Sequence, residues 1–127
     1  MFSASIENRG DARHYASTED GTFVIDTSGS GLNPIDTLLA GFAGCLGNQL
    51  RDFFRDQHIV SNGFAVKTET QLTEDGSRVS DIAVYIDLKD TSVGREKEAA
   101  LMSYVEACKI YRTLSANSKI SVALKRP

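Results

Sequence analysis

Two cysteines, Cys45 and Cys108, are the residues of this chain whose type is best suited to covalent chemistry. They lie far apart without CxxC spacing, and the two histidines, His14 and His58, form no HxxxH or HExxH pattern. This spacing argues against a zinc site and against a secreted fold held by disulfides, so we expect no metal and no cofactor. A free thiol can act as a nucleophile, but unpaired cysteine is also among the most buried residue types and can serve as plain core.

Length and charge narrow the class of protein. The 127 residues suit one domain, predicted over 1–127, and the formal net charge of -3 gives no electrostatic reason to expect nucleic acid or an acidic membrane surface as a partner. No signal peptide is visible at the start, and the longest uncharged stretch is too short to cross a bilayer. We therefore expect a cytoplasmic protein.

A long central helix must position Cys45. Asn33 is a good N-cap, Pro34 suits the first helical position, and Asp36 places negative charge at the positive end of the helix dipole. The helix is predicted to run from Pro34 to about Gln57. No residue from 38 to 47 is charged, so this half is expected to be buried on all sides. In the second half the expected inward residues are Leu50, Phe53 and Phe54.

Small residues on this helix point to a close packing partner. Ala40, Ala43, Gly44 and Gly47 fall at i, i+3, i+4 and i+7 and share one face. Each glycine costs about 1 kcal/mol relative to alanine in a helix interior, so another backbone is expected to approach there. That backbone belongs either to the core of the same chain or to a second subunit. The apolar surface of the helix is too large for one sheet to cover, which favours a homodimer.

The remaining segments complete an α+β pattern. Residues 1–31 predict three short strands, and residues 64–72 and 82–88 alternate as an antiparallel hairpin. Apolar residues from Leu101 to Leu114 recur at helical spacing and place Cys108 on the buried stripe, with one helix or two shorter helices broken near Cys108 as the alternatives. Ile120, Val122 and Leu124 predict a last strand. The expected order is βββ-α-ββ-α-β, with a mainly antiparallel sheet packed on both helices.

Several segments together resemble one known family. They are Asn33-Pro34, Leu38-Leu39-Ala40, Ala43-Gly44-Cys45, and the segment Glu106-Ala107-Cys108-Lys109-Ile110-Tyr111-Arg112-Thr113-Leu114. This pattern is similar to the OsmC/Ohr superfamily, the osmotically inducible and organic hydroperoxide resistance proteins, along essentially the whole chain. The resemblance implies an intertwined homodimer, two active sites at the subunit interface, and thiol peroxidase activity toward organic hydroperoxides.

The resemblance also implies a role for each cysteine. Cys45 would attack the peroxide as a thiolate, and Cys108 would resolve the resulting sulfenic acid into a disulfide that a dithiol reduces. In the peroxidases an arginine of the N-terminal strands lowers the thiol pKa, and here that arginine would be Arg9 or Arg13. A thiolate in the middle of a helix is expected to gain nothing from a helix N-terminus, so the arginine would be essential. An apolar pocket would come from Phe42, Phe53, Phe54 and Tyr111.

Two positions depart from the family pattern. The peroxidases carry a glutamate ten residues before the first cysteine, where it holds the arginine, and this chain has Ile35 there. The neighbouring Asp36 points to roughly the opposite side of the helix from Cys45. Lys109 stands where many relatives have proline. We therefore expect weak peroxidase turnover, and the alternative is a non-peroxidatic OsmC-like protein that binds a small apolar or thiol-bearing ligand at the dimer interface.

Overall fold

A computed structural model describes residues 1–125 of the chain. Its regular elements, apart from a 3-10 turn at Arg95–Lys97, are β1 (Ala4–Asn8), β2 (Arg13–Thr18), β3 (Gly21–Asp26), α1 (Pro34–Asp56), β4 (Ala65–Glu69), β5 (Ala83–Asp87), α2 (Glu98–Glu106) and α3 (Lys109–Ser115). The chain forms two compact units, Met1–Gly41 and the part from Phe42 onward. The single domain over 1–127 stays a prediction.

The first unit holds the three predicted strands. They form an antiparallel sheet in the order β1-β2-β3, in which Ala16 pairs with Ile6 on one side and Phe23 on the other. Ala16 is buried, whereas the side chains of Ile6 and Phe23 are exposed. The strands are joined by short turns, and Gly10 adopts a φ of 98°, which glycine tolerates without steric cost.

The start of α1 is fixed by a reciprocal cap. The Asn33 side-chain oxygen accepts the Asp36 N–H at 2.8 Å, and the Asn33 amide donates to the Asp36 carboxylate at 2.8 Å. Pro34 is the first helical residue, where its missing N–H leaves no donor unpaired. The predicted helix is confirmed to within one residue, since it ends at Asp56 rather than Gln57.

The core of the second unit lies where α1 meets α2 and the β4–β5 hairpin. One face of α1 carries Leu46, Leu50 and Phe53, each with no exposed surface, and they pack against Leu101 and Val105 of α2. The hairpin is antiparallel, as predicted, and its strands are shorter than the alternating segments because the pairing is interrupted after Glu69. Its partly buried residues on this core are Val66, Ile82, Val84 and Ile86.

Two features of the predicted architecture are corrected. In place of one sheet, residues 1–125 contain two separate antiparallel sheets, one of three strands and one of two. The predicted last strand is not formed, since residues 116–125 lie in no helix or strand and Ile120, Val122 and Leu124 are exposed. A strand needs a neighbouring strand to accept its backbone hydrogen bonds, and none pairs with this segment within the described part of the chain.

In the single chain the first half of α1 is not enclosed on all sides, and its enclosure by a second subunit stays a prediction. Phe42 and Leu46 are buried, but Leu38, Ala40, Gly41 and Gly44 are exposed. Within the second unit the large side chains of α1 are buried, whereas Gly44 keeps its solvent contact in the single chain. A Cβ atom added to Gly44 would meet no atom within 4 Å, whereas one added to Gly47 would touch the Phe64 ring at 3.5 Å.

Gly44→Leu therefore tests the predicted homodimer. Within one chain the new side chain has open space and removes a glycine that costs about 1 kcal/mol in a helix, so the protomer should remain folded. If α1 of a second subunit packs on this face, the leucine should overpack that contact by about 1–3 kcal/mol and shift a dimer toward monomer. Sedimentation and circular dichroism would measure both properties. Ala99→Leu, on an exposed position of α2, is the control.

Candidate thiol site

Cys45 and Cys108 are in direct contact. The Cys108 thiol donates to the Cys45 sulfur across 2.6 Å, and both cysteines are free. Cys45 is half-buried, whereas Cys108 has no exposed surface. The prediction that the two residues lie close enough for bond formation after modest movement is confirmed.

A break between two helices brings Cys108 to this position. The chain leaves α2 after Glu106, and Cys108 adopts φ -57° and ψ 128°, outside the helical region. Its sulfur then caps α3 by accepting the Tyr111 N–H at 3.4 Å. Of the two alternatives that the sequence left open, the structure selects two short helices. A continuous helix would not present the Cys108 sulfur in this way to the first turn of α3.

Two hydrogen bonds hold α2 against α1 beside the cysteines. Gln49, one turn after Cys45 on α1, donates from its side chain to the Tyr104 carbonyl at 2.8 Å. The Tyr104 hydroxyl donates to the Asp56 carboxylate at 2.6 Å, and its ring meets the Phe53 ring edge-on with centroids 5.4 Å apart. The sequence reasoning missed Gln49. The sequence feature that could have identified Gln49 is its side-chain amide, which lies on the same face of a largely apolar helix as Cys45. A polar group in such surroundings needs a hydrogen-bond partner.

The surroundings of the two thiols favour ionisation of Cys45. Burial opposes a charge there, but the Cys108 thiol, the backbone N–H groups of Ile110 and Lys109, and the Lys109 charge stabilise the thiolate, and the net effect lowers the pKa of Cys45. Burial and the bond to Cys45 raise the pKa of Cys108. One thiol is therefore the stronger candidate nucleophile, and the other is its proton donor.

Groups outside α1 also affect the charge state of Cys45. The sequence places Cys45 in the middle of α1, and from that position alone no helix N-terminus is within reach. The backbone N–H groups of Lys109 and Ile110, the first two residues of α3, contribute to the lowering of the pKa of Cys45. An arginine is thus not the only group able to stabilise a thiolate at Cys45.

The other predicted site residues lie in the first unit. Arg9 pairs with Glu7 at 3.7 Å and lies 4.1 Å from the Tyr15 ring centroid. Arg13 is exposed at the start of β2. Asp36 is engaged by the Asn33 cap, and among residues 1–125 no ion pair joins it to an arginine.

A cavity of about 260 Å³ lies in the second unit, and neither cysteine is among its wall residues. Phe42, one turn before Cys45, and Tyr111, three residues after Cys108, are part of its wall. The remaining wall residues are Ser80, Ile82, Val84, Leu114 and Ser115. Of the four aromatic residues predicted for a pocket, Phe42 and Tyr111 line this one, whereas Phe53 is fully buried in the core.

These features define the class of protein. It is an α+β protein in which a free cysteine on α1 contacts a free cysteine at the break between α2 and α3. Within residues 1–125, no helix combines the length and apolar character needed to cross a membrane. The profile of the OsmC-like protein family matches residues 27–123. The chain therefore belongs to the OsmC-like family, as the sequence resemblance predicted.

Solved structures agree with this assignment at the level of the fold. An OsmC-like protein from Mycoplasma pneumoniae superposes with a TM-score of 0.77 at 15% identity, over 91% of this chain and 87% of that one. An organic hydroperoxide resistance protein OsmC from Legionella pneumophila gives 0.66 at 19% identity, over 92% and 90%. The organic hydroperoxide resistance protein OhrB of Bacillus subtilis gives 0.59 at 22% identity, over 92% of each chain. No curated protein matches the chain in sequence.

The contrast between the two thiols predicts selective alkylation. Iodoacetamide reacts with thiolates, so near neutral pH it should modify Cys45 well before Cys108, because the pKa of Cys45 is lowered and its sulfur is less buried. Peptide mass spectrometry after short labelling would measure both sites. The preference should narrow as the pH rises past an ordinary thiol pKa, and faster labelling of Cys108 would contradict the assignment.

Proposed function

We propose that this protein reduces organic hydroperoxides by thiol chemistry, with Cys45 as the attacking thiolate and Cys108 as the resolving thiol. The observation that carries the proposal is the 2.6 Å contact of the two cysteine sulfurs. A thiolate accepts hydrogen bonds, so the adjacent Cys108 thiol can donate to Cys45 in its reactive form, and this interaction helps to lower the pKa of Cys45.

The reaction balances without a metal or an organic cofactor. The Cys45 thiolate attacks the terminal oxygen of the hydroperoxide, an S–O bond forms, the O–O bond breaks, and the alkoxide leaves and takes up a proton as an alcohol. The Cys108 sulfur then attacks the Cys45 sulfenic acid, which forms the disulfide and releases water. Two thiols lose two electrons and the peroxide gains them. A small or protein dithiol returns both cysteines to thiols by exchange.

The cavity lined by Phe42 and Tyr111 supports an organic substrate. Besides these two aromatic rings and the hydroxyls of two serines, its wall offers the aliphatic side chains of Ile82 and Val84. Such a wall favours a hydroperoxide with a hydrocarbon tail over hydrogen peroxide, because burying the tail releases water from apolar surface. The names of the Legionella and Bacillus proteins, which describe resistance to organic hydroperoxides, point in the same direction.

We also propose that the protein is a homodimer and that its peroxidase turnover is slow. A second chain would cover the exposed small-residue face of α1 and so complete the burial that this helix lacks alone. Ile35 provides no carboxylate to hold Arg9 or Arg13 as the glutamate does in the peroxidases. Turnover is therefore expected to be slower than in a relative that carries that glutamate.

The same cavity favours a second candidate function, which is binding of a small apolar or thiol-bearing ligand without turnover. Its volume of about 260 Å³ is slightly below the roughly 300–1,000 Å³ that drug-sized ligands occupy, so a small molecule would fit. In that case Cys45 would anchor the ligand and would not be oxidised. Peroxide consumption separates the two candidates.

Cumene hydroperoxide consumption in the presence of a dithiol tests the proposed function. The wild-type protein should consume it catalytically and more rapidly than hydrogen peroxide, and Cys45→Ser should abolish consumption because serine cannot be oxidised in this way. Ser115→Ala, on the cavity wall but without a thiol, is the matched control and should retain most of the activity.

The Cys108→Ser variant tests the resolving role separately. It should still react once with peroxide, but without a resolving thiol its Cys45 should accumulate sulfinic and sulfonic acid, which mass spectrometry detects. The wild-type protein treated with one equivalent of peroxide should instead yield the Cys45–Cys108 disulfide. Persistent overoxidation of wild-type Cys45 with Cys108 unmodified would refute the resolving role, and absence of turnover would favour the ligand-binding candidate.

A further inference from the structure

Another cavity of the second unit combines apolar side chains with an arginine. Its volume is about 270 Å³, and it shares no wall residue with the cavity that Phe42 and Tyr111 line. Of the described residues in its wall, Arg51 alone carries a charge, and this residue is exposed on α1. The remaining wall residues are Phe54, Ile59, Ser61, Gly63 and Phe64.

The charge of Arg51 is not neutralised within the described part of the chain. Among residues 1–125 its guanidinium takes part in no ion pair. Arg55, one turn further along α1, instead contacts the carboxylates of Asp52 and Asp56 at 3.1 and 3.0 Å. Both carboxylates of this part of the helix are thus engaged by the neighbouring arginine. The N–H donors of the Arg51 guanidinium remain available to an anion from solution.

The end of α1 fixes one apolar part of the wall. His58 follows the helix with a φ of 54°, a left-handed conformation that turns the chain back. The His58 N–H donates to the Arg55 carbonyl at 3.2 Å, and the Ile59 N–H donates to the Phe54 carbonyl at 2.8 Å. This pair of bonds is the Schellman pattern, in which the apolar residue after the turn commonly packs on the last turn of the helix. Ile59 is accordingly half-buried against the core that contains Phe54.

The loop after α1 supplies the rest of the wall and is held by its own contacts. The Ser61 and Thr91 hydroxyls lie 2.8 Å apart, and the Gly63 N–H donates to the Ser61 hydroxyl at 3.2 Å. Gly63 has a φ of 132°, which glycine tolerates without steric cost. The Phe64 ring then lies 5.9 Å from the Phe54 ring, measured between centroids. Because the chain itself holds this wall, a ligand would not have to order it.

We propose that this cavity binds a small aromatic monocarboxylate. The planar guanidinium of Arg51 matches a carboxylate through two parallel hydrogen bonds, and the rings of Phe54 and Phe64 suit an aromatic tail. A cavity of about 150 Å³ is enough for a benzene ring. The volume of about 270 Å³ therefore accommodates one ring and its carboxylate group. This binding site lies outside the thiol site and does not depend on the proposed function.

A second copy of the chain is the competing occupant, because Gly44 and Arg51 are seven residues apart and share one face of α1. A Cβ atom added to Gly44 would meet no atom within 4 Å, but one added to Gly47 would lie 3.5 Å from the Phe64 ring. A partner helix would thus meet an open backbone at Gly44 and a phenyl ring at Gly47. Close helix packing is blocked at the end of the face where the cavity lies, which favours a small ligand there.

Binding of sodium benzoate, followed at neutral pH by heteronuclear NMR titration of the full chain, tests the proposal. The amide signals of Ser61, Gly63 and Phe64 should shift, with a dissociation constant of about 1–10 mM for a ligand of this size. Benzyl alcohol carries the ring without the charge, and acetate carries the charge without the ring. Each should bind at least about fivefold more weakly than benzoate, because each lacks one half of the interaction.

Two variants isolate the role of the charge. Arg51→Gln removes the guanidinium at an exposed position and should weaken benzoate binding about fivefold or more while leaving the affinity for benzyl alcohol unchanged. Arg55→Gln is the matched control, since it removes a cation one turn away that already has carboxylate partners, and it should bind benzoate like wild type. Circular dichroism checks that both variants are folded. If Arg51→Gln does not fold, the comparison of benzoate with benzyl alcohol on the wild-type protein decides.

Equal benzoate affinity in wild type and folded Arg51→Gln, or shifts that spare all three loop amides, would overturn the inference. Inorganic phosphate that binds as tightly as benzoate would reveal a general anion site and contradict the aromatic class. Sedimentation tests the competing occupant. Loss of a dimer in Arg51→Gln but not in Arg55→Gln would assign Arg51 to a contact between two copies and refute the ligand site. None of these results depends on peroxide consumption, so the two proposals fail independently.

Discussion

The packing of α2 on the apolar face of α1 is the constraint on which the candidate site depends. Leu46, Leu50 and Phe53 must be removed from water, and α2 covers them with Leu101 and Val105. Burial of each such side chain contributes about 1.5–3 kcal/mol, compared with about 0.5–1.5 kcal/mol for a typical neutral hydrogen bond. The cysteines meet because this packing fixes the point at which α2 ends.

Hydrogen bonds between polar groups fix the register in which α1 and α2 pack. A helix pair joined only by aliphatic side chains can slide with little loss, because dispersion and burial are not directional. The bond from Gln49 to the Tyr104 carbonyl and the bond from Tyr104 to Asp56 lie on either side of the Phe53 contact and give the pair a definite register. That register matters at Cys108, since the redox chemistry proposed here needs two sulfurs within bonding reach.

The site combines burial with a local supply of hydrogen-bond donors. Burial by itself makes a thiol inert, because it penalises the charged form. The break between α2 and α3 positions Cys108, and the N–H groups of Lys109 and Ile110, which follow it, help to lower the pKa of Cys45. The break between the two helices therefore affects the environment of both thiols. The pKa values of the two thiols move in opposite directions, which separates an attacking group from its partner.

Short-range sequence patterns determined the secondary structure and the family. The Asn33-Pro34-Asp36 start of α1, the period-two alternation of the hairpin and the helical spacing around Cys108 are short-range signals, and the elements that they predict are present. The two sheets, the open face of α1 and the unpaired segment at 116–125 were decided by tertiary packing, because pairing and burial depend on neighbours that are distant in sequence. The contact of Cys45 with Cys108 could be expected only through a family resemblance. The contribution of the Lys109 and Ile110 N–H groups to the lowered pKa of Cys45 could not be predicted, because the surroundings of backbone groups are set by the fold and not by residue type.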